Sequence, residues 1–79
     1  MVAKAGLKAW PVPSEGPVQL ILEGLENGTE AIVIDQTGRT IQSLELHPNE
    51  PQELQLPQSG IYFIRTSNKE VPTVRLVKK

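Results

Sequence analysis

Apolar and polar residues alternate in short runs along most of the 79-residue chain, and glycine or proline cuts the runs at close intervals. Val18 to Glu23 is the clearest case, with Val18, Leu20 and Leu22 at every second position, as a strand with one buried face requires. Glu30 to Asp35 reads as a further strand, and Gly60 to Thr66 alternates with β-branched and aromatic residues between turn signals. Arg39 to Leu46 alternates except for one slip among Ile41, Leu44 and Leu46. A single extra residue resets a period of two, so a β-bulge is expected near Gln42 and Ser43. A short strand carries Leu54 and Leu56, and the chain closes with a strand over Val71 to Lys78. The first strand, around Leu7 to Val12, is irregular, and its prolines place it at a sheet edge where a missing donor does no harm.

The punctuation fits this reading. Leu25-Glu26-Asn27-Gly28 carries Asn-Gly, a strong hairpin signal, and Gln36-Thr37-Gly38 reverses the chain after Asp35. Few intervals between glycines and prolines could hold a helix of ten or more residues. The chain therefore predicts an all-β domain of about seven strands. Leu56-Pro57-x-x-Gly60-x-Tyr62-x-Ile64 adds a local signature. It puts a tyrosine near the start of the penultimate strand, where immunoglobulin-like antiparallel β-sandwiches bond its hydroxyl back to upstream backbone. That sandwich is the expected fold.

Composition narrows the function. A chain of this length holds one small domain, with no cysteine to staple it, so packing must supply its stability. A formal net charge of -1 argues against a general nucleic-acid or anionic-membrane binder. No apolar run approaches the roughly 20 residues of a membrane-spanning helix, so direct membrane insertion is not expected. Met1 to Trp10 is a poor signal peptide, its apolar run being short and broken by lysine.

Catalytic chemistry finds little support. His47 is the single histidine and lies between Leu46 and Pro48, without the further ligands a metal would need. Ser59, His47 and Asp35 could be written as a triad, but no nucleophile elbow supports it, and Asp35 is better used by its own turn. The glycines are spaced by turns and form no phosphate cradle. The expectation is a binding or recognition module, with no enzyme activity and no cofactor.

That leaves the surface. With Tyr62 and Ile64 inward, Ile61 and Phe63 face outward beside Arg65; with Val74 and Leu76 inward, Thr73, Arg75, Val77 and Lys79 face outward. An outward stripe of Ile61, Phe63 and Val77 is more apolar than a free surface should be. Either the N-terminal segment with Trp10 folds over it, or a partner uses it.

Four segments in order then resemble a known family: Pro11-Val12-Pro13-Ser14-Glu15-Gly16, Ile34-Asp35-Gln36-Thr37-Gly38-Arg39, Gly60-Ile61-Tyr62 and Arg75-Leu76-Val77-Lys78-Lys79. The chain from about Trp10 to Lys79 is similar to the type A C-terminal sorting domain of type IX secretion cargo proteins of Gram-negative Bacteroidota. Those domains show Pro-x-Pro-x-x-Gly, Tyr-Asp-x-x-Gly-Arg, Gly-x-Tyr and a closing basic-x-x-x-Lys. Trp10-Pro11-Val12-Pro13 replaces the frequent Tyr-Pro-Asn-Pro, Ile34 an aromatic, and Arg75 a lysine. The resemblance implies a domain over residues 10–79, preceded by a linker or irregular first strand over 1–9.

It also implies export of a parent protein from the periplasm across the outer membrane, commonly followed by cleavage by a sortase-like peptidase and attachment at the cell surface. The implied partners are the outer-membrane translocon and that peptidase. Recognition is expected at Arg75, Val77, Lys78 and Lys79, with the terminal carboxylate. Pro11, Pro13 and Gly16 are expected to fix how the linker enters, and Gly60 and Tyr62 to be scaffold. Two other readings compete: a fibronectin-like or carbohydrate-binding accessory module, and a homo-dimerising module that uses either the apolar stripe, with Ile61, Phe63 and Arg65, or a free sheet edge. One Trp, one Tyr and one Phe make a poor set of sugar-stacking platforms.

Overall fold

A computed structural model describes residues 5–11 and 15–79. Among them seven strands and no helix occur: β1 (Gly6–Trp10), β2 (Val18–Glu23), β3 (Thr29–Asp35), β4 (Thr40–Leu46), β5 (Gln52–Leu54), β6 (Gly60–Thr66) and β7 (Val74–Lys78). They form two antiparallel sheets, one ordered β1-β2-β5 and the other β4-β3-β6-β7. The expected sandwich of about seven strands is the observed one.

The core lies between the sheets and follows the period of two. Val18, Leu20 and Leu22 of β2 are buried beside Leu7 and Leu54. They face Ala31 and Val33 of β3, Tyr62 and Ile64 of β6, and Leu76 of β7. Each fully buried Leu or Ile contributes about 1.5–3 kcal/mol relative to exposure. A small cysteine-free domain depends on these side chains.

β3 is apolar on both faces. Ala31 and Val33 are buried inward, while Ile32 and Ile34 are half-buried on the outside. On that outer side Ile32 lies beside Arg65 and Ile34 beside Phe63, and such cross-strand neighbours shield them only in part.

One connection and one bulge differ from the sequence expectation. Leu25 to Gly28 does not close a hairpin, because β2 and β3 belong to different sheets and the segment carries the chain across the sandwich. Its glycine answers to packing: a Cβ on Gly28 would lie 2.5 Å from the Leu46 carbonyl oxygen. The bulge lies slightly earlier than expected. Val33 faces Gln42 while Ile34 faces Thr40, so Ile41 is the extra residue. The slip lets both Ile41 and Leu44 pack against the core despite their odd spacing.

The free edge of β4 is partly covered, since Gln52 Nε2 donates to the Glu45 carbonyl at 2.8 Å.

Candidate recognition surface

The β3–β4 hairpin is organised by one carboxylate. Asp35 Oδ1 accepts from the Thr37 amide at 3.0 Å, the Thr37 hydroxyl at 2.6 Å and the Arg39 amide at 3.0 Å. Gly38 closes the three-residue loop at φ 89°, a conformation that costs glycine little. Hydrogen bonding to the charged form holds the Asp35 carboxyl below the ordinary aspartate value of 3.8, the Thr37 hydroxyl first and the Arg39 amide next. Arg39 Nε lies 3.6 Å from Oδ2. This carboxylate is fully used by its own turn.

The tyrosine corner is present. The Tyr62 hydroxyl donates to the Gln58 carbonyl at 2.7 Å and accepts from the Gln58 amide at 3.2 Å, with the ring buried. The last strand makes a second tie to the same connection, where Lys78 Nζ donates to the Leu56 carbonyl at 2.5 Å.

Strand register brings these motifs to one end of the sandwich. Asp35 faces Tyr62, and Gly60 faces Lys78, so the ends of β3 and β7 meet the start of β6. In the other sheet Trp10 pairs with Gln19, and Val18 pairs with Leu54, the last residue of β5. The short connection from Leu54 to Gly60 joins the two sheets at that same end. Motif segments far apart in sequence thus share one pole of the molecule. Pro11 is exposed and Gly16 half-buried, while Val12, Pro13 and Ser14 lie outside the described residues. A shallow cleft of about 140 Å³ at this pole is lined by residues of both the Asp35 turn and the tyrosine-corner loop.

The outer face of the four-stranded sheet is the second feature. Register puts Ile34 beside Phe63, Phe63 beside Arg75, Ile61 beside Val77 and Ile32 beside Arg65. All five apolar residues are half-buried, and Arg65 and Arg75 are exposed. The sequence indicated Ile61, Phe63 and Val77 but missed Ile32 and Ile34. The unbroken apolar run of β3 was the available signal; knowing which strands it pairs with needs the register. Trp10 does not fold over this face: β1 belongs to the other sheet, with Leu7 in the core and Trp10 45% exposed.

The four residues singled out at the chain's last strand separate by side. Arg75 and Lys79 are exposed and Val77 is half-buried, outward from the fully buried Leu76. Lys78 alternates to the inner side, and its ammonium group is committed to Leu56. His47 is exposed, its Nε2 3.8 Å from Glu45 Oε1. No group of three or more potential metal-ligating side chains occurs among the described residues.

Fold and surface together define a small sandwich that presents ordered turns, an exposed indole and basic side chains at one end: a recognition module. The chain belongs to the family of secretion system C-terminal sorting domains, whose model matches residues 8–79. No curated protein and no solved structure matches it. The domain is therefore a sorting signal for type IX secretion, and the family is one of signals, not of enzymes. Such a signal routes its cargo to the outer membrane or the extracellular space.

Proposed function

We propose that the folded domain is read in the periplasm by the outer-membrane translocon, and that the closing segment with Arg75, Val77, Lys78 and Lys79 carries the recognition, Arg75, Val77 and Lys79 from its outward side. The supporting observation is that β7 is an edge strand whose outward side presents Arg75 and Val77, with the exposed Lys79 just after it, while Leu76 anchors it in the core. An edge strand offers a partner unpaired backbone groups for strand addition, and alternate side chains for specificity. Cleavage upstream of the domain by a sortase-like peptidase and attachment of the parent at the surface follow export in this reading.

The test fuses the 79-residue chain to a periplasmic reporter in a host competent for type IX secretion. The parent fusion reaches the outside; the Arg75→Ala, Lys79→Ala double variant stays folded but accumulates in the periplasm. Export of the double variant at the parent level would sink the proposed role of the final strand.

A second reading rests on the outer face, where Ile61, Phe63 and Arg65 adjoin Ile32, Ile34 and Val77. That strip suits a homo-dimer, and a four-stranded face this small makes at most a weak one. Sedimentation across a wide concentration range checks it, with Phe63→Glu as the variant that abolishes self-association.

A further inference from the structure

The terminal basic residues do not all act in the same way. Lys78 lies directly opposite Gly60 in the β6–β7 ladder, on the inner side of the strand with Leu76. Its ammonium reaches back over the end of the sandwich to the carbonyl of Leu56, a residue 3% exposed. Two positions further along the same connection, Gln58 is held through both its amide and its carbonyl by the Tyr62 hydroxyl. The segment that crosses between the sheets is thus tied at two points by side chains from adjacent strands. One tie comes from the Gly-x-Tyr segment and the other from the terminal basic segment. A charge-assisted bond to a carbonyl of a buried residue is stronger than a neutral one, and the lysine stem can lie on apolar surface.

We infer that Lys78 is a positioning residue for recognition and not a contact residue: its bond to Leu56 holds the 55–59 connection against β7, so that the tyrosine-corner loop and the outward Val77 and Lys79 form one rigid surface at this pole. The inference rests on the sorting reading and assigns Lys78 a role distinct from those of Arg75 and Lys79. Recognition then depends on a folded composite of two separated segments, not on the last residues as an isolated peptide.

The experiment uses Lys78→Met, which keeps the stem without the donor, Lys78→Arg, which keeps the donor, and Lys79→Met as the outward control. Hydrogen exchange of the Gln58 amide is measured in the free chain, and reporter export in the type IX-competent host. Lys78→Met is expected to stay folded at the assay temperature, to exchange the Gln58 amide about tenfold faster, and to lose most export. Lys78→Arg restores both properties, and Lys79→Met leaves Gln58 exchange unchanged. Parent-level export by folded Lys78→Met overturns the inference. So does an equal loss of export in Lys78→Met and Lys78→Arg with Gln58 exchange unaltered, which would make the ammonium a direct contact. Should Lys78→Met unfold, Lys78→Gln, which keeps a neutral donor, decides by the same two readouts. A parent fusion that is not exported overturns the sorting reading itself, and exchange in the free chain then decides whether the Leu56 tie orders the connection.

Discussion

The Tyr62 hydroxyl satisfies both backbone groups of Gln58, donating to its carbonyl at 2.7 Å and accepting from its amide at 3.2 Å. One side chain therefore closes the loop that carries the chain from one sheet to the other. Tyr62→Phe keeps the ring in the core and removes both bonds. The expected cost is about 1–3 kcal/mol. Thermal denaturation checks it, at roughly 4–8 °C of midpoint per kcal/mol for a domain of this size.

Gly28 should resist substitution for a reason unrelated to turn conformation. A methyl group there would sit 2.5 Å from the Leu46 carbonyl oxygen, and that neighbour is backbone. Gly28→Ala must displace β3 from the end of β4, at an expected cost of about 1–3 kcal/mol. Gly6→Ala is the control, since a Cβ at Gly6 meets nothing within 4 Å. Chemical denaturation of both variants should show a lower midpoint for Gly28→Ala alone.

Asp35 links stability to acid. Its carboxyl is held below 3.8 in the folded chain by the Thr37 hydroxyl and the Arg39 amide, whereas the unfolded chain titrates at the ordinary value. Above that value both states are ionised and the turn contributes fully. As pH falls through it the unfolded state takes up its proton first, and stability declines until the folded carboxyl is also protonated. Asp35→Asn should remove this part of the acid slope. Unfolding curves between about pH 5 and pH 2, with the Asp35 titration followed by NMR, check both the sign and the window.

Neighbouring positions on β7 should behave oppositely. Leu76 is fully buried, and Leu76→Ala should cost about 2–5 kcal/mol, enough to unfold a domain this small. Arg75 is exposed with no ion-pair partner among the described residues, and Arg75→Ala should change stability by no more than about 0.5 kcal/mol. Circular dichroism of the two variants checks this. The contrast matters for export assays, because deleting residues 75–79 removes Leu76 and so confounds loss of signal with loss of fold.

Much of this was legible in the chain. Alternation in Val18 to Glu23 and Gly60 to Thr66 located both strands, and spacing from Leu56 to Tyr62 located the tyrosine corner. The Asp35 turn followed from the hydrogen-bonding habits of a short carboxylate beside Gly38. Other features were not legible. Asn27-Gly28 has the composition of a hairpin, yet β2 and β3 lie in different sheets. Placing the bulge at Ile41 needed the pairing of Val33 with Gln42 and Ile34 with Thr40.

The sequence by itself determined what depends on local geometry: which residues extend, which face each presents, where the chain turns, and the order of the motifs that mark it as a sorting domain. Tertiary structure alone decided which strands became neighbours. It thereby put the Asp35 turn, Gly60, Tyr62 and Lys78 at one end, joined Ile32 and Ile34 to the outer apolar strip, and turned Lys78 inward to Leu56. The reason is physical. Alternation is set by dihedral preferences within a few residues, whereas strand pairing and long-range side-chain bonds are set by how two sheets bury a shared core.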